Sequence, residues 1–434
     1  MNCLMKRILS VAILLLGFLP AATAQTGTWS GALDVQGTKL TLIFHLDEEK
    51  PTLDCPDQGI KGFALQVERT AFGKISIQIP AIAASYEGQW LNDHIYGTYS
   101  QMGVSLPLTL TPGEPKLNRP QTPKPPFPYT QEEVSFANGD AVLKGTLVLP
   151  EGCTRQTPVL IMVTGSGLQD RDERLFEHRP FAVIADALAR AGIATLRYDD
   201  RGFGESTGDI INCTTEDLKN DALSGIRLLR ERFDKVGVIG HSEGGAIALM
   251  LAAEKQADFI VSLAGMAISG AEALVWQNRL TLAAAGLPEE TVDAYCKLIA
   301  EAFDVRVHGG VMPQPGPNLP EALKQNFQAV LMQIQSPYMK AFLALDMRPL
   351  LGSISCPVLA LNGTKDTQVE YEQNLGALRS GLPAIPANKI EAVEGVNHMF
   401  QHCTTGMVQE YRNIEETFAP EVLETMVAWI SGLF

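Results

Sequence analysis

The chain has 434 residues, 46% of them hydrophobic, and a formal charge of −15 at pH 7. It is long enough for two or three folded units with a substantial core, and so acidic a balance argues against nucleic acid or anionic lipid as a partner. Seven cysteines with no C-x-x-C pair and no Cys/His cluster give no metal signature, and a chain of this length needs no disulfide framework.

Residues 1–24 read as a secretory signal peptide. Met5-Lys6-Arg7 is a short positive region, Ile8 to Leu19 is almost unbroken apolar sequence, and Ala22-Thr23-Ala24 is an A-x-A site before Gln25. The apolar run is too short for a comfortable membrane span, and no later stretch is long and apolar enough to make one. The expectation is export, periplasmic or secreted, with cleavage near Ala24. Loss of Lys6 and Arg7 takes the formal charge from −15 to −17.

Residues 25–112 alternate or run rich in β-branched residues, as in Lys39 to Leu46, Ile75 to Ile79 and His94 to Ser100, between Gly, Asp, Asn and Pro punctuation. A small all-β domain is predicted, with Trp29, Phe63, Trp90 and Tyr99 in its core. A carbohydrate-binding role for it stays open, because aromatic faces suit sugars. Residues 113–128 follow as a proline-rich linker, expected to be extended and semi-rigid. An exported context disfavours reading it as a ligand for an SH3-type domain.

From Tyr129 the pattern changes. Glu133 to Leu149 predicts a β-hairpin turning at Asn138-Gly139. Apolar strands are then expected at Pro158 to Thr164, Ile193 to Tyr198, Lys235 to Gly240, Asp258 to Ala264, Pro357 to Asn362 and Lys389 to Val393. Helical stretches such as Phe181 to Ala191 and Thr215 to Arg232 separate them. Such alternation predicts an α/β domain over 129–434, with a mostly parallel sheet covered on both faces.

Within it, Gly240-His241-Ser242-Glu243-Gly244 fits G-x-S-x-G, preceded by a strand-like run and followed by a helix-former. That context separates a nucleophile elbow from an ordinary strand-to-helix turn carrying a serine. A serine hydroxyl needs a base to take its proton. Of the seven histidines, His398 lies in a loop just past the last predicted strand, and Asp366 in the loop after the preceding one, so the order Ser242, Asp366, His398 is that expected of this architecture. His402 and Asp346 are the competing assignments, disfavoured because neither lies directly on a strand-end loop. The glycine-rich loop Thr164 to Glu173 lacks the Gly-Lys-Ser/Thr of a phosphate loop; with Glu243, the residue after the nucleophile, its Ser166 is the candidate backbone donor to an oxyanion. In the turn-rich loop Arg197 to Ser206, Asp200 and Arg201 are expected to pair locally.

These motifs carry a resemblance. Gly240 to Gly245, Asp199 to Ser206, Gly165 to Asp172, Asn362 to Asp366 and Val396 to Phe400 together resemble the α/β-hydrolase superfamily, in its serine-aminopeptidase-like (S33-type, Hydrolase_4) esterase and lipase branch, over residues 129–434. The resemblance implies an α/β-hydrolase fold with Ser242 as nucleophile, Asp366 as acid and His398 as base. It also implies cleavage of carboxylic esters, thioesters or peptide bonds. Thr164 stands where many relatives have the histidine of a His-Gly pair, which leaves open which amide completes the oxyanion hole.

The insertion 268–350, with amphipathic stretches around Ala271 to Ala285, Glu289 to Phe303 and Glu321 to Gln335, is expected to cover the site as a lid whose mobile turn is Gly309-Gly310 and Pro313 to Pro317. Its Leu, Met, Phe and Ala content favours an apolar acyl or aromatic group. The expected activity is hydrolysis of a small-molecule carboxylic ester, short or medium in its acyl chain, through an acyl-enzyme and with no metal or organic cofactor. An exopeptidase releasing N-terminal residues is the alternative; it needs a carboxylate near the serine for the free amine, and Glu272, Glu289, Glu290 and Glu301 are its candidates. Glu243 is expected instead to anchor the adjoining loop through Arg171 or Arg201. A non-enzymatic glycan-binding surface protein is the third reading, disfavoured by a complete triad.

Overall fold

The computed structural model describes residues 26–434 except 36–37, 47–48, 59 and 71–72. The expected signal peptide lies outside the described residues. The chain divides into two compact units at Lys116/Leu117.

The first unit is a single run of antiparallel strands, β1 (Thr28–Val35), β2 (Thr38–His45), β3 (Thr52–Cys55), β4 (Ile60–Ala64), β5 (Gln66–Arg69), β6 (Lys74–Ile79), β7 (Ala84–Leu91), β8 (His94–Gln101) and β9 (Val104–Pro112), in the order β4-β3-β2-β1-β9-β8-β7-β6-β5. Alternation puts Ile75, Ile77 and Ile79 on one face of β6, all buried. They pack with Phe44 and Tyr86, whose hydroxyl donates to the Ile95 and Leu108 carbonyls. Trp29 and Tyr99 are buried in this core, and Phe63 and Trp90 are half-buried against it. Two of the four aromatics are therefore core residues that offer no face to a sugar.

In the second unit β10 (Tyr129–Asn138) and β11 (Ala141–Pro150) form the expected hairpin, with Asn138 opposite Ala141. The sheet continues through β12 (Val159–Val163), β13 (Ala194–Tyr198), β14 (Val236–His241), β15 (Ile260–Leu263), β16 (Val358–Gly363) and β17 (Lys389–Val393), in the order β10-β11-β13-β12-β14-β15-β16-β17. Every neighbouring pair from β13 to β17 is parallel. Strands buried on both faces must be apolar at every position, and β12 shows why. Val159, Ile161 and Val163 face one core, shared with α2 (Thr215–Arg230) and α3 (Glu243–Ala253). Leu160 and Met162 face the other, shared with α1 (Pro180–Arg190) and the C-terminal helix Pro420–Ser431. This is the α/β-hydrolase architecture expected from the sequence.

Between β15 and β16 five helices intervene: α4 (Gly270–Ala284), α5 (Glu289–His308), α6 (Glu321–Gln333), α7 (Pro337–Ala344) and α8 (Arg348–Leu351). They build a small core of their own around Tyr295, Ile299, Phe303 and Phe327. The sequence reading did not anticipate α7, although Ser336-Pro337 is a start signal: the Ser336 hydroxyl accepts the Met339 N–H and the proline occupies the first turn. The chain leading into the catalytic sheet is fastened down. The buried Arg119 donates to the carbonyls of Phe176, Arg412 and Ile414, and Gln121 accepts the N–H groups of Thr417 and Phe418.

Candidate active site

Ser242 follows β14 and caps the start of α3 at φ 55°, ψ −118°, a conformation costly for a residue with a Cβ. The turn closes because its neighbours have none. A Cβ on Gly240 would run into the Gly244 carbonyl, and one on Gly244 into the Val163 carbonyl of the adjacent strand. The N-terminus of α3, with its unsatisfied N–H groups and positive end of the dipole, is thereby brought to the serine.

His398 and Asp366 arrive from neighbouring strand ends. His398 Nδ1 lies 2.7 Å from Asp366 Oδ2, and both side chains are buried. Asp366 is fixed in turn, since its Oδ1 accepts the N–H groups of Gln368 and Val369 and its Oδ2 the side chain of Asn362. The Asn397 side chain accepts the N–H groups of Met399 and Gln401, which shapes the loop that carries the histidine. The His398 ring packs on that of His241, the residue before Ser242, with centroids 4.6 Å apart. The three sequence-predicted residues thus converge at the carboxyl ends of β14, β16 and β17.

The loop after β12 approaches the same point. A Cβ on Gly165 would lie 3.2 Å from that of Ser242. Ser166, next along, is exposed, and Glu243 starts α3. The Gly165 N–H itself is committed to Glu173 Oε1 at 2.8 Å. Thr164 turns its hydroxyl to the Asp200 carboxylate.

Two side-chain partnerships differ from those expected. Asp200 and Arg201 do not pair: Arg201 makes a two-pronged contact with the buried Asp221, while Asp200 accepts from Thr164 and the Gln169 N–H. Their side chains diverge because Arg201 turns to α2 and Asp200 to the loop after β12. Glu243 reaches neither Arg171 nor Arg201. Arg171 is held by Asp199, Glu133 and Glu205, and the buried Glu243 carboxyl accepts from Thr215 at 2.6 Å and from Tyr338 of α7. Tyr338, Thr215, Glu173 and the role of His241 in this network were not read from the sequence. They meet only in the folded chain, and the capping signal of α7 was the one clue to Tyr338.

Burial sets the electrostatics here. It pushes the Asp200 carboxyl up to about 8, against the hydrogen bonds from Gln169 and Thr164. It also raises Glu243, opposed by its two hydroxyl donors. For His241 burial acts downward, but the Glu173 carboxylate and the His398 carbonyl outweigh it and hold the imidazole above its ordinary value.

The competing assignments lie elsewhere. His402 pairs with Glu416 and Glu421, and Asp346 with Arg348. Among the described residues no group of three His, Cys, Asp or Glu side chains is placed to hold a metal ion, and no helix is long and apolar enough to cross a membrane.

A parallel sheet that delivers a strained serine, a histidine and its carboxylate partner to one edge defines a serine hydrolase of the α/β-hydrolase class. The chain belongs to the family described as serine aminopeptidase, S33, whose model matches residues 177–400. Esterase EstD of Thermotoga maritima is 34% identical over 124 residues, 28% of this chain and 30% of that relative, so the match spans less than a third of the relative's length. Among solved structures, an esterase of Pyrococcus furiosus is similar over 74% of this chain and 98% of its own, at 16% identity and a TM-score of 0.44. The proline iminopeptidase of Mycobacterium smegmatis is similar over 69% and 98%, at 16% identity and a TM-score of 0.43.

Two outcomes test this description. Gly240→Ala should lower the urea midpoint by the equivalent of about 3 kcal/mol, because a backbone carbonyl has to move; an unchanged midpoint would show that the elbow relaxes freely. A carboxyl raised by burial binds its proton more tightly in the folded state, so Asp200 withdraws stability as pH rises from near 4 through about 8. Asp200→Asn should therefore lose less stability than the parent between pH 5 and pH 8.5 in urea titrations, and equal slopes would mean that Asp200 is already ionised when folded.

Proposed function

We propose that this protein hydrolyses carboxylic esters with a short or medium acyl chain, using Ser242 as nucleophile, His398 as general base and Asp366 as the acid that orients it. The observation that carries this reading is the buried His398–Asp366 contact at the same sheet edge as the strained serine. His398 takes the Ser242 proton as the hydroxyl attacks the carbonyl. The backbone N–H groups of Ser166 and Glu243 receive the oxyanion. The protonated His398 then gives its proton to the departing alcohol, and water repeats the sequence on the acyl-enzyme. Asp366, 2.7 Å from His398 Nδ1, holds the ring in orientation throughout.

Ester is favoured over the amine end of a peptide by the carboxylates. A protonated amine in a water-poor pocket needs a carboxylate that is charged and has room for it. Glu243, nearest the serine, is occupied by Thr215 and Tyr338, and burial favours its neutral form. Glu272 is held by Ser269 and Arg348, and Glu289, Glu290 and Glu301 are exposed. The 124-residue likeness to Esterase EstD supports the same choice. The insertion 268–350 serves as the lid, its Tyr338 reaching the residue after the nucleophile.

Ser242→Ala should lower kcat by about a million-fold, and Asp366→Asn by about ten-thousand-fold, in a folded protein. Aryl esters should be cleaved with higher kcat/KM than matched aminoacyl-anilides bearing a free N-terminus; the reverse order, removed by Glu272→Gln, would replace the esterase with an aminopeptidase. Export completes the proposal: mass spectrometry of the mature protein should find Gln25, cyclised or not, as the first residue, and a chain retaining Met1 would refute this route.

A further inference from the structure

We propose that Glu173 and His241 form a second carboxylate–histidine pair, packed against the reacting one, that positions the three loops of the active site relative to one another. The inference rests on the roles given above to Ser242 and His398, and it assigns Glu173 and His241 a part in that reaction without contact with the substrate.

Glu173 Oε1 accepts the Gly165 N–H at 2.8 Å and faces His241 Nδ1 at 2.8 Å, and His241 Nε2 faces the His398 carbonyl oxygen at 3.0 Å. A carbonyl oxygen and a carboxylate only accept. Both ring nitrogens of His241 therefore donate, and the ring is an imidazolium paired with a carboxylate. Both side chains are buried, at 7% and 5% exposure, where an ion pair persists only if its remaining hydrogen-bonding positions are filled. Here Glu173 Oε1 accepts the Gly165 N–H and His241 Nε2 faces the His398 carbonyl, both from catalytic loops. Gly165 lies in the loop that approaches Ser242 from β12, His241 is the elbow residue before the serine, and His398 is the base. One carboxylate oxygen and one ring thus join the oxyanion-side loop, the nucleophile and the base.

The backbone agrees. Glu173 has φ 53°, and a non-glycine residue is kept in that region only when its surroundings over-determine it. By taking up the Gly165 N–H, Glu173 also fixes the Thr164–Gly165 peptide plane, one residue before Ser166. The charged groups acting on His241 are Glu173 and, from the loop after β16, Asp366; both favour the imidazolium and oppose the effect of burial. A pair that only filled space would not need a charge. The two acceptors facing one ring do.

In Glu173→Gln a neutral His241 has one N–H for the two acceptors that faced its ring, so one of the contacts is lost, and His241→Gln leaves the carboxylate buried without its cation. Each variant should lower kcat per active site, counted by fluorophosphonate titration, about 10- to 100-fold with KM within threefold, as expected for loops displaced by a fraction of an ångström. The double variant should be no worse than the poorer single one, because the pair acts as a unit. A kcat per titrated site within threefold of the parent in both single variants would overturn the proposal, since a purely structural pair lowers the fraction of active protein and the melting temperature but not the rate of each folded site. Should the variants fail to fold, nitrogen NMR of histidine-labelled parent protein decides. At pH 8 His241 should carry protons on both ring nitrogens, and a singly protonated ring would overturn the pair. That readout is independent of the reaction: hydrolysis surviving in Ser242→Ala would refute the role of the serine and leave the state of His241 to be read as before.

Discussion

The site depends on how closely α3 approaches the strands beneath it. A helix resting on a sheet through ordinary side chains would hold Ser242 and its N-terminal N–H groups well above the strand ends. Here the Gly244 backbone lies against the Val163 carbonyl, Gly245 against Gly265, and Gly240 against the Gly244 carbonyl. Removing these Cβ atoms costs chain entropy, roughly 0.5–1 kcal/mol for each glycine. It lets a turn at φ 55° close with the positive end of a helix dipole beneath it. The loops after β12, β16 and β17 can reach the serine because the same approach brings their strand ends level with it.

What that approach costs is polar burial. Glu173, Asp200, Glu243 and Asp366 are all buried around one turn, and an unpaired carboxylate there would be worth several kcal/mol of destabilisation. The chain resolves each differently. Asp366 has a histidine and two backbone donors, and Glu173 has a histidine and one. Asp200 and Glu243 have only neutral donors, each worth about 1.5–3 kcal/mol to a charged acceptor, and for them desolvation wins and the carboxyls shift upward. Charge around the serine is thus concentrated on two carboxylate–histidine pairs that touch through the tilted rings of His241 and His398.

The sheet and the residues at its edge were legible for a physical reason. Strands buried on both faces are largely apolar and the edge strand β17 alternates polar with apolar residues, so the six expected strands from Pro158 to Val393 agree with the observed ones to within two residues. A nucleophile elbow needs small residues at fixed offsets, so it too is written locally. Partners of long polar side chains were not legible. Arg171, Arg201 and Glu243 can each reach several acids or donors, and which they meet depends on helix α2, on α7 and on the loop after β12 arriving together. Arg201 finds Asp221 on α2 where Asp200 stood next to it in sequence, because a two-pronged contact with a buried carboxylate outweighs mere adjacency.

The same reasoning explains why α7 matters more than its eight residues suggest. The insertion has an inner core of its own, around Phe327, Tyr295 and Phe303, and its Ala273, Phe342 and Met347 join the core shared with α2 and α3, which sets its place over the sheet. A hydrogen bond from Tyr338 to the buried Glu243 carboxyl does so with direction as well as energy. Glu243 cannot turn to solvent to replace a lost donor, so breaking that contact would leave a buried acceptor short, at a cost of about 1–3 kcal/mol. The insertion is therefore referenced to the residue that follows the serine. Through Thr215, which binds the other oxygen of the same carboxyl, it is referenced to α2 as well.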